Sequence, residues 1–383
     1  MTVAPPEAIA LNDVVTAHQE TLWMPDPSTL LVTLATVVGN RMAGDPIWLM
    51  LIGAPSSGKT EIVESFAELP EVHWLSSTTK AGLLSGAVGE GGTGGLLCTI
   101  GDRGLLIIKD FTTILSEHSS TRNEVLAIFR EMFEGKFDRA VGTGGGVVLR
   151  WRGHVGCIAC TTQAVDQVSM AAFGERWVRW RLPATSHDDR FLAGLTALEN
   201  QGKQQDQRAK RQRVVADFLA NLAIPDLPPP LTSREQERLG LLADLGTRCR
   251  SEVTRDGGSG DRIELIPDPE ELPRLISELA QLSAGLTVIG VGDEDRWRLL
   301  VGCALGGMES LRRQAVDILL GAPNGHTTAT IAARAGLPRT SMHRHLENLT
   351  ALGVLDRIDG PPEIWFTSDW LRDRWTAVSG EGL

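Results

Sequence analysis

Gly53-Ala54-Pro55-Ser56-Ser57-Gly58-Lys59-Thr60 follows the unbroken apolar run Ile47-Trp48-Leu49-Met50-Leu51-Ile52 and precedes Glu61-Ile62-Val63-Glu64-Ser65-Phe66. A buried strand, a G-x-x-x-x-G-K-T turn and a helix, in that order, form the context that a phosphate-binding P-loop requires. Gly53 and Gly58 let the backbone curl so that its N–H groups face phosphate oxygens, with Ala54, Pro55, Ser56 and Ser57 completing the cradle. Lys59 is expected to reach the β- and γ-phosphates, and the Thr60 hydroxyl to help hold Mg²⁺. The plain alternative is a chance glycine-rich turn, which strand, full motif and helix together disfavour. The stretch predicts a nucleoside triphosphate, ATP with Mg²⁺, as the cofactor.

Around this motif, 383 residues leave room for two or three domains. An apolar share of 42% and a charged share of 22% describe an ordinary globular composition. A formal net charge of −11 argues against a general cationic surface, so any DNA contact must come from local basic features. No apolar stretch approaches the length of a membrane span, and Met1-Thr2-Val3-Ala4-Pro5-Pro6 lacks a signal pattern. These points predict a cytoplasmic protein with no membrane partner. Five cysteines include Cys157-Ile158-Ala159-Cys160, formally a C-x-x-C pair. It has no second Cys/His pair at zinc spacing and lies in an apolar run, so two buried thiols on a core strand are expected.

The first 45 residues read as mostly helical, with an apolar stripe through Leu30, Leu31, Leu34 and Val37-Val38. Short β-like runs follow at 71–78, 96–100 and 105–109, then helical periodicity at 119–134 through Val125, Leu126, Ile128, Phe129 and Phe133. Gly142-Thr143-Gly144-Gly145-Gly146 divides two short β-like segments as a hairpin tip would. Buried strands are expected at 155–161 and 177–182. Alternating strands and helices around a P-loop predict a parallel α/β sheet. Residues 191–222 read as helical. Their polar stretch 203–213, rich in Lys, Arg and Gln, is expected to be a solvated helix or connector, with DNA contact as the alternative. Prolines between 225 and 230 mark a linker. The organisation expected is an N-terminal helical segment 1–45, an α/β core 46–190, a connector 191–230, a helical block 231–321 interrupted by a loop at 256–260, and a small C-terminal domain 322–383.

Two stretches bear on hydrolysis. Leu105-Leu106-Ile107-Ile108-Lys109-Asp110-Phe111 is a buried strand ending in a carboxylate, where P-loop enzymes place an acid for Mg²⁺ or for the attacking water. Cys157-Ile158-Ala159-Cys160-Thr161-Thr162 is a strand whose polar end could meet the γ-phosphate or that water. Thr79-Lys80-Ala81-Gly82-Leu83 and a glycine-rich segment at 89–95 lie between the P-loop and the acidic strand. With the helix, hairpin and polar-tipped strand that follow, this order resembles the AAA+ module of the minichromosome-maintenance (MCM) helicases. The resemblance continues through 231–253 and Pro273-Arg274-Leu275, which are similar to that family's lid, and covers roughly residues 45–320.

The resemblance implies a P-loop AAA+ parallel sheet module with a helical lid. It puts Thr162, or Thr161, at the sensor-1 position, where the family usually has Asn. It makes Arg176, in Gly174-Glu175-Arg176 ahead of Trp177-Val178, an arginine finger completing a neighbouring subunit's ATP site. It makes Arg274 the sensor-2 arginine. Surface ion pairs are the bland alternative for both. One departure is clear: the family's acidic strand ends Asp-Glu-Phe, whereas this one ends Lys109-Asp110-Phe111. Asp110 stands where the catalytic Glu belongs and Lys109 where the Mg²⁺-associated Asp belongs. Asp110 would then serve as metal partner, water activator or both, with Glu117 a remote reserve, and hydrolysis is expected to be slow. An amine at 109 would repel the metal unless it turned away.

DNA contact is expected at two places. Lys136 and Arg139 on one side, and Arg150 and Arg152 on the other, flank the hairpin tip. In the resembled family such a hairpin enters the pore of a hexameric ring. Arg150-Trp151-Arg152 puts both guanidiniums on one face of a strand, suited to phosphate. A surface hairpin with solvated arginines is the alternative. The C-terminal block reads as a winged helix-turn-helix, with helices at 327–335 and 339–352 and a strand at 363–367. Arg339, Thr340, Ser341, His343 and Arg344 lie on the second helix's polar N-terminal half and can bond to bases or phosphates. Against this, residues 324–376 carry six Lys/Arg and six Asp/Glu, and protein contacts alone are a second role for such a domain.

These features favour an oligomeric, hexameric ATP-driven DNA helicase or translocase. Only about 45 residues precede the P-loop strand, so a partner protein or the winged helix is expected to load it. That compact build suits replication of a plasmid or mobile element. A second reading is an AAA+ regulator that polymerises on DNA or recruits partners in transposition, transcription or defence, favoured by Lys109-Asp110 and the acidic balance. A protein unfoldase ranks last, since no aromatic–hydrophobic–Gly pore loop is clearly placed.

Overall fold

The computed structural model describes residues 9–76, 80–83, 88–89, 92–93, 95–141, 147–168, 176–256 and 262–379. Thr79, residues 90, 91 and 94 of the glycine-rich segment, the hairpin tip 142–146, Gly174-Glu175 and the loop residues 257–260 lie outside the described residues. The chain forms two compact units. The first comprises 1–165, 172–229 and 281–296, and the second 166–171, 230–280 and 297–383.

The first unit is built on a five-stranded sheet in the order Val72–Leu75, Arg103–Ile108, His154–Thr161, Trp48–Ile52, Val178–Arg181. Every pairing in it is parallel. Such a sheet is covered on both faces, which is why Trp48–Ile52 is buried at every position and its sequence shows no alternation. Helix Ser28–Arg41 is likewise buried nearly all round, consistent with its Leu, Val and Thr content. Trp48 anchors the core. Its ring meets Phe129, Phe133 and Trp177 edge-on at centroid distances of 5.8, 5.5 and 4.9 Å, and its Nε1 donates to the Val155 carbonyl at 2.8 Å. A side chain this size, fully buried, contributes about 3 kcal/mol. Cys157 and Cys160 are buried on the strand His154–Thr161, as expected, and burial pushes both thiols up, Cys160 to about 12.

One stretch departs from the sequence expectation, and a second does so at one buried side chain. Residues 96–100, read as β-like, form the helix Leu96–Ile100. Their buried positions are Leu97 and Ile100, spaced three apart, and a run this short carries too little periodicity to separate helix from strand. The polar stretch 203–213 is the solvated helix expected over most of its length, with Arg211 the buried exception. It lies in the helix Gln204–Asn221, where Arg211 is 2% exposed and its guanidinium donates to Thr21 and Glu61. Arg208 pairs with the same Glu61, Lys210 with Glu20, and Gln212 donates to the Glu64 carbonyl at 3.0 Å. Arg208, Lys210 and Arg211 of this helix are therefore spent on partners in the helix Lys59–Glu64 and in the N-terminal residues.

The hairpin of Lys136–Val141 and Val147–Arg152 is antiparallel, pairing Lys136 with Arg152, Phe137 with Trp151 and Asp138 with Arg150. Phe137 and Trp151 face the core, and Trp151 Nε1 donates to the Gly101 carbonyl at 2.7 Å.

The second unit contains helices Ser233–Arg250 and Ser310–Leu320, most of Asp293–Leu305, and the short strand pair Thr254–Arg255 with Ile263–Leu265. Its C-terminal part is a helix-turn-helix with a wing. Helix Thr328–Ala335 is closed by Gly336 in a left-handed conformation, φ 66°, as a C-cap glycine should be. Helix Arg339–Ala351 follows, burying Met342, Leu346 and Leu349. A three-stranded antiparallel sheet of His326–Thr327, Ile364–Thr367 and Leu355–Ile358 completes it, with Trp365 fully buried beneath. Among the described residues no helix is long and apolar enough to cross a membrane.

Candidate functional site

Parallel pairing brings the carboxyl ends of three strands to one edge of the sheet: Ile52 lies opposite Thr161, and Ile108 opposite Ala159. Three sequence elements read separately, the glycine-rich loop, the Lys109-Asp110 pair and the Thr161-Thr162 tip, therefore emerge side by side. This is the edge at which open α/β sheets bind ligands.

The loop itself is tightly wound. Gly53 N donates to the Thr161 carbonyl at 3.2 Å, and Ser57 N to the Ala54 carbonyl at 3.3 Å. Ser56 has φ 61° and Gly58 φ 83°. A serine in the left-handed region costs about 1 kcal/mol or more, and such outliers gather where a backbone must present its donors. Lys59 is 8% exposed, with Nζ donating to the carbonyls of Gly53 and Ala54 at 2.8 and 2.7 Å and to Ser57 Oγ at 3.1 Å. Burial lowers its pKa, while the Cys160 thiol and the Asp110 carboxylate raise it. A buried ammonium resting on three uncharged oxygens suits exchange of these contacts for phosphate oxygens.

Asp110 is exposed and caps the helix Phe111–Leu115, accepting from Thr112 N at 3.0 Å and from Thr113 Oγ1 at 3.2 Å. Its field reaches Lys59, so the two groups share one electrostatic site. Lys109, in the bend that follows the strand, is held by other partners. Its ammonium pairs with Glu64 and lies 4.5 Å from the centre of the Trp74 ring. Thr161 is buried, with its hydroxyl 3.4 Å from that of Thr112. Thr162 Oγ1 accepts from Ala164 N at 3.3 Å, capping the turn Gln163–Gln167. Of the two threonines, Thr161 is the one tied directly to the glycine-rich loop.

The remaining expected residues are distributed. Arg176 pairs with Glu134 at 2.9 Å and lies over the Phe133 ring at 5.9 Å. Arg274 belongs to the second unit, 3.9 Å from Glu270. On the hairpin, register puts Lys136, Arg150 and Arg152 on one exposed face together with Asp138, and puts Arg139 on the opposite face. Arg152 Nη2 donates to Asp138 at 3.0 Å, and Lys136, Arg150 and Arg152 together hold that carboxyl below its usual range, Arg152 foremost. On the helix Arg339–Ala351, Arg339, Thr340 and Arg344 are exposed, and Ser341 and His343 are half-buried. His343 Nε2 lies 3.1 Å from Glu363 Oε2, so its ring is tied to the wing strand side of the domain. Arg255 donates to Asn348 Oδ1 and Glu347 on the same helix, fixing its outer turn.

Glu64, Glu61, Trp74 and Thr112 escaped the sequence reading. Glu64 and Lys109 are 45 positions apart, and only the sheet order makes them neighbours.

Residues 314–359 match the IclR helix-turn-helix domain. The match supports a winged helix and points to DNA as a partner. Two apo structures of the C-terminal region of NrS-1 align with 96% of this chain, covering 78% and 77% of theirs. Identities are 9% and 8% and TM-scores 0.35 and 0.31, too low to carry an argument. No curated protein matches the chain.

Proposed function

We propose that residues 53–60 bind ATP with Mg²⁺ and that the protein is an oligomeric AAA+ DNA motor of the MCM-like kind, acting in replication of DNA or of a mobile element. The observation that carries this reading is the Lys59 ammonium, buried against the carbonyls of Gly53 and Ala54 at the carboxyl edge of the sheet and within the field of Asp110. These residues fit the cofactor. Lys59 and the loop amides would take the triphosphate, and Thr60 and Asp110 would face the metal. Bound Mg²⁺ would neutralise charge developing on the transferred phosphate. Thr161, adjacent to both loop and acidic strand, would orient the attacking water, with Thr162 holding the turn behind it. Arg176 would act in a neighbouring subunit of a hexameric ring, leaving Glu134 when it does so. The Lys136, Arg150 and Arg152 face would hold DNA phosphates, and the helix bearing Arg339 would dock on duplex.

A second reading, an ATP-binding regulator that assembles on DNA without unwinding it, is favoured by two observations. Lys109 replaces an acid beside Asp110, and Arg176 is held by Glu134 within its own chain. Strand displacement on a forked duplex with ATP separates the two. Unwinding that Lys59→Ala and Arg150→Ala each abolish supports the motor. ATP-dependent DNA binding by confirmed oligomers without displacement sinks it in favour of the regulator.

A further inference from the structure

Lys109 poses a problem for the site: an ammonium beside the only carboxylate that the acidic strand offers to a metal. The structure resolves it through a group on another element. Glu64 stands on the helix that continues the glycine-rich loop, and its carboxylate pairs with Lys109 Nζ. Trp74, on the neighbouring strand, presents its ring face to the same ammonium at 4.5 Å. Ion pair and ring together hold the cation on one side of the chain. Asp110, one residue on, caps the helix Phe111–Leu115, and its field reaches Lys59. Glu64 keeps its own place through the same helix, whose carbonyl at residue 64 accepts from Gln212 at 3.0 Å.

We propose that Glu64 is a positioning residue that clamps Lys109 away from the metal–triphosphate site, so that Mg²⁺ meets Asp110 without a competing ammonium. The proposal rests on the reading of residues 53–60 as an ATP site. When Glu64 loses its charge, Lys109 has no carboxylate to hold it, and its flexible stem lets the ammonium swing toward the nearest anion. With nucleotide bound, that anion is the triphosphate. The ammonium then takes over part of the metal's role, so nucleotide binding loses its dependence on Mg²⁺ rather than its strength. A residue that merely braced the fold would weaken binding with and without metal alike.

The test measures ATP affinity by titration with a fluorescent ATP analogue, once with Mg²⁺ and once with EDTA, in wild type, Glu64→Gln, Lys109→Met and the double variant. Thermal unfolding reports that each is folded. The expected result is that the tightening produced by Mg²⁺ falls about tenfold in Glu64→Gln, the order expected for one added positive charge near the site. It stays at the wild-type level in Lys109→Met and returns to that level in the double variant. An unchanged Mg²⁺ effect in folded Glu64→Gln overturns the clamp, as does a double variant that fails to recover. Wild-type binding that Lys59→Ala leaves intact, or no wild-type binding at all, overturns the ATP-site reading and the clamp with it.

Discussion

Asp138 and Arg152 lie diagonally across the two strands of the hairpin, with the guanidinium Nη2 3.0 Å from the carboxylate Oδ2. The pair sits in the middle of the face on which DNA phosphate contact is proposed, and Asp138 offsets one of its three cations. Replacing the carboxylate by an amide removes a negative charge without disturbing the buried Phe137–Trp151 pair behind it. Asp138→Asn is expected to bind non-specific single-stranded DNA more tightly. The slope of log affinity against log salt should steepen by about one, because one more phosphate contact releases one more counterion. Titrations by fluorescence anisotropy across a salt series measure both. An Asp138→Asn slope equal to that of the wild type would remove the hairpin from the DNA path.

Arg339 and His343 occupy the same helix but different situations. Arg339 stands exposed at its first position after Pro338, whereas His343 is bonded to Glu363. Arg339→Ala is therefore expected to weaken duplex binding about tenfold and to lower the salt slope by about one. His343→Ala should act mainly on stability, by about 1 kcal/mol, through the lost Glu363 contact. Anisotropy on duplex DNA and urea denaturation distinguish the two effects. Equal losses of affinity in both variants would contradict this division of roles.

The outline of the fold was legible because its deciding signals are local. The continuous apolar run 47–52, the glycine spacing of 53–58 and the 3.6-residue periodicity of 119–134 and 339–352 each fit within one element. What stayed hidden depends on partners far along the chain. The ion pairs of Arg208, Lys210 and Arg211 did not show in the sequence because their counter-charges, Glu20 and Glu61, lie well over a hundred positions away. Lys109 read as a defect because Glu64, which accommodates it, becomes its neighbour only through the sheet order. Arg139 and Lys136 share one strand beside the hairpin tip, and only the register shows that an odd spacing puts them on opposite faces.

Gly285 meets the carbonyl of Ala35 so closely that a Cβ at this position would lie 2.1 Å from the oxygen. Backbone cannot yield as a side-chain tip can, so helix Ser28–Arg41 and the segment bearing Gly285 must separate to admit even one methyl. Gly285→Ala is expected to lower the stability of the first unit by about 3 kcal/mol, the upper end for overpacking. Gly240→Ala, at a position where a Cβ meets nothing, serves as the control and should change stability by less than about 0.5 kcal/mol. Thermal unfolding of both variants checks the contrast. A Gly285→Ala midpoint equal to that of the control would show that the two helices are not in this contact.

His18 and His345 predict an acid limb to stability in each unit. His18 is fully buried, donates from Nδ1 to the Val14 carbonyl at 2.8 Å, and lies near Arg211; burial foremost, with that guanidinium, outweighs the raising effect of the Val14 bond and brings its pKa down to about 4. His345 is also brought to about 4, by burial and by Arg312, Arg344 and Arg255, against the Glu309 carboxylate 3.5 Å from its Nδ1. Unfolded, each imidazole titrates near its ordinary value of 6.5. Between about pH 6.5 and pH 4 the unfolded chain thus binds protons that the folded one refuses, so stability falls as pH falls through that window and is unaffected by these groups above it. Each histidine accounts for about 3 kcal/mol at the acid end. Urea midpoints at about pH 7 and about pH 4.5 should differ less in His18→Leu and in His345→Leu than in the wild type. If neither substitution reduces the difference, the imidazoles are charged in the folded protein and the burial argument for both fails.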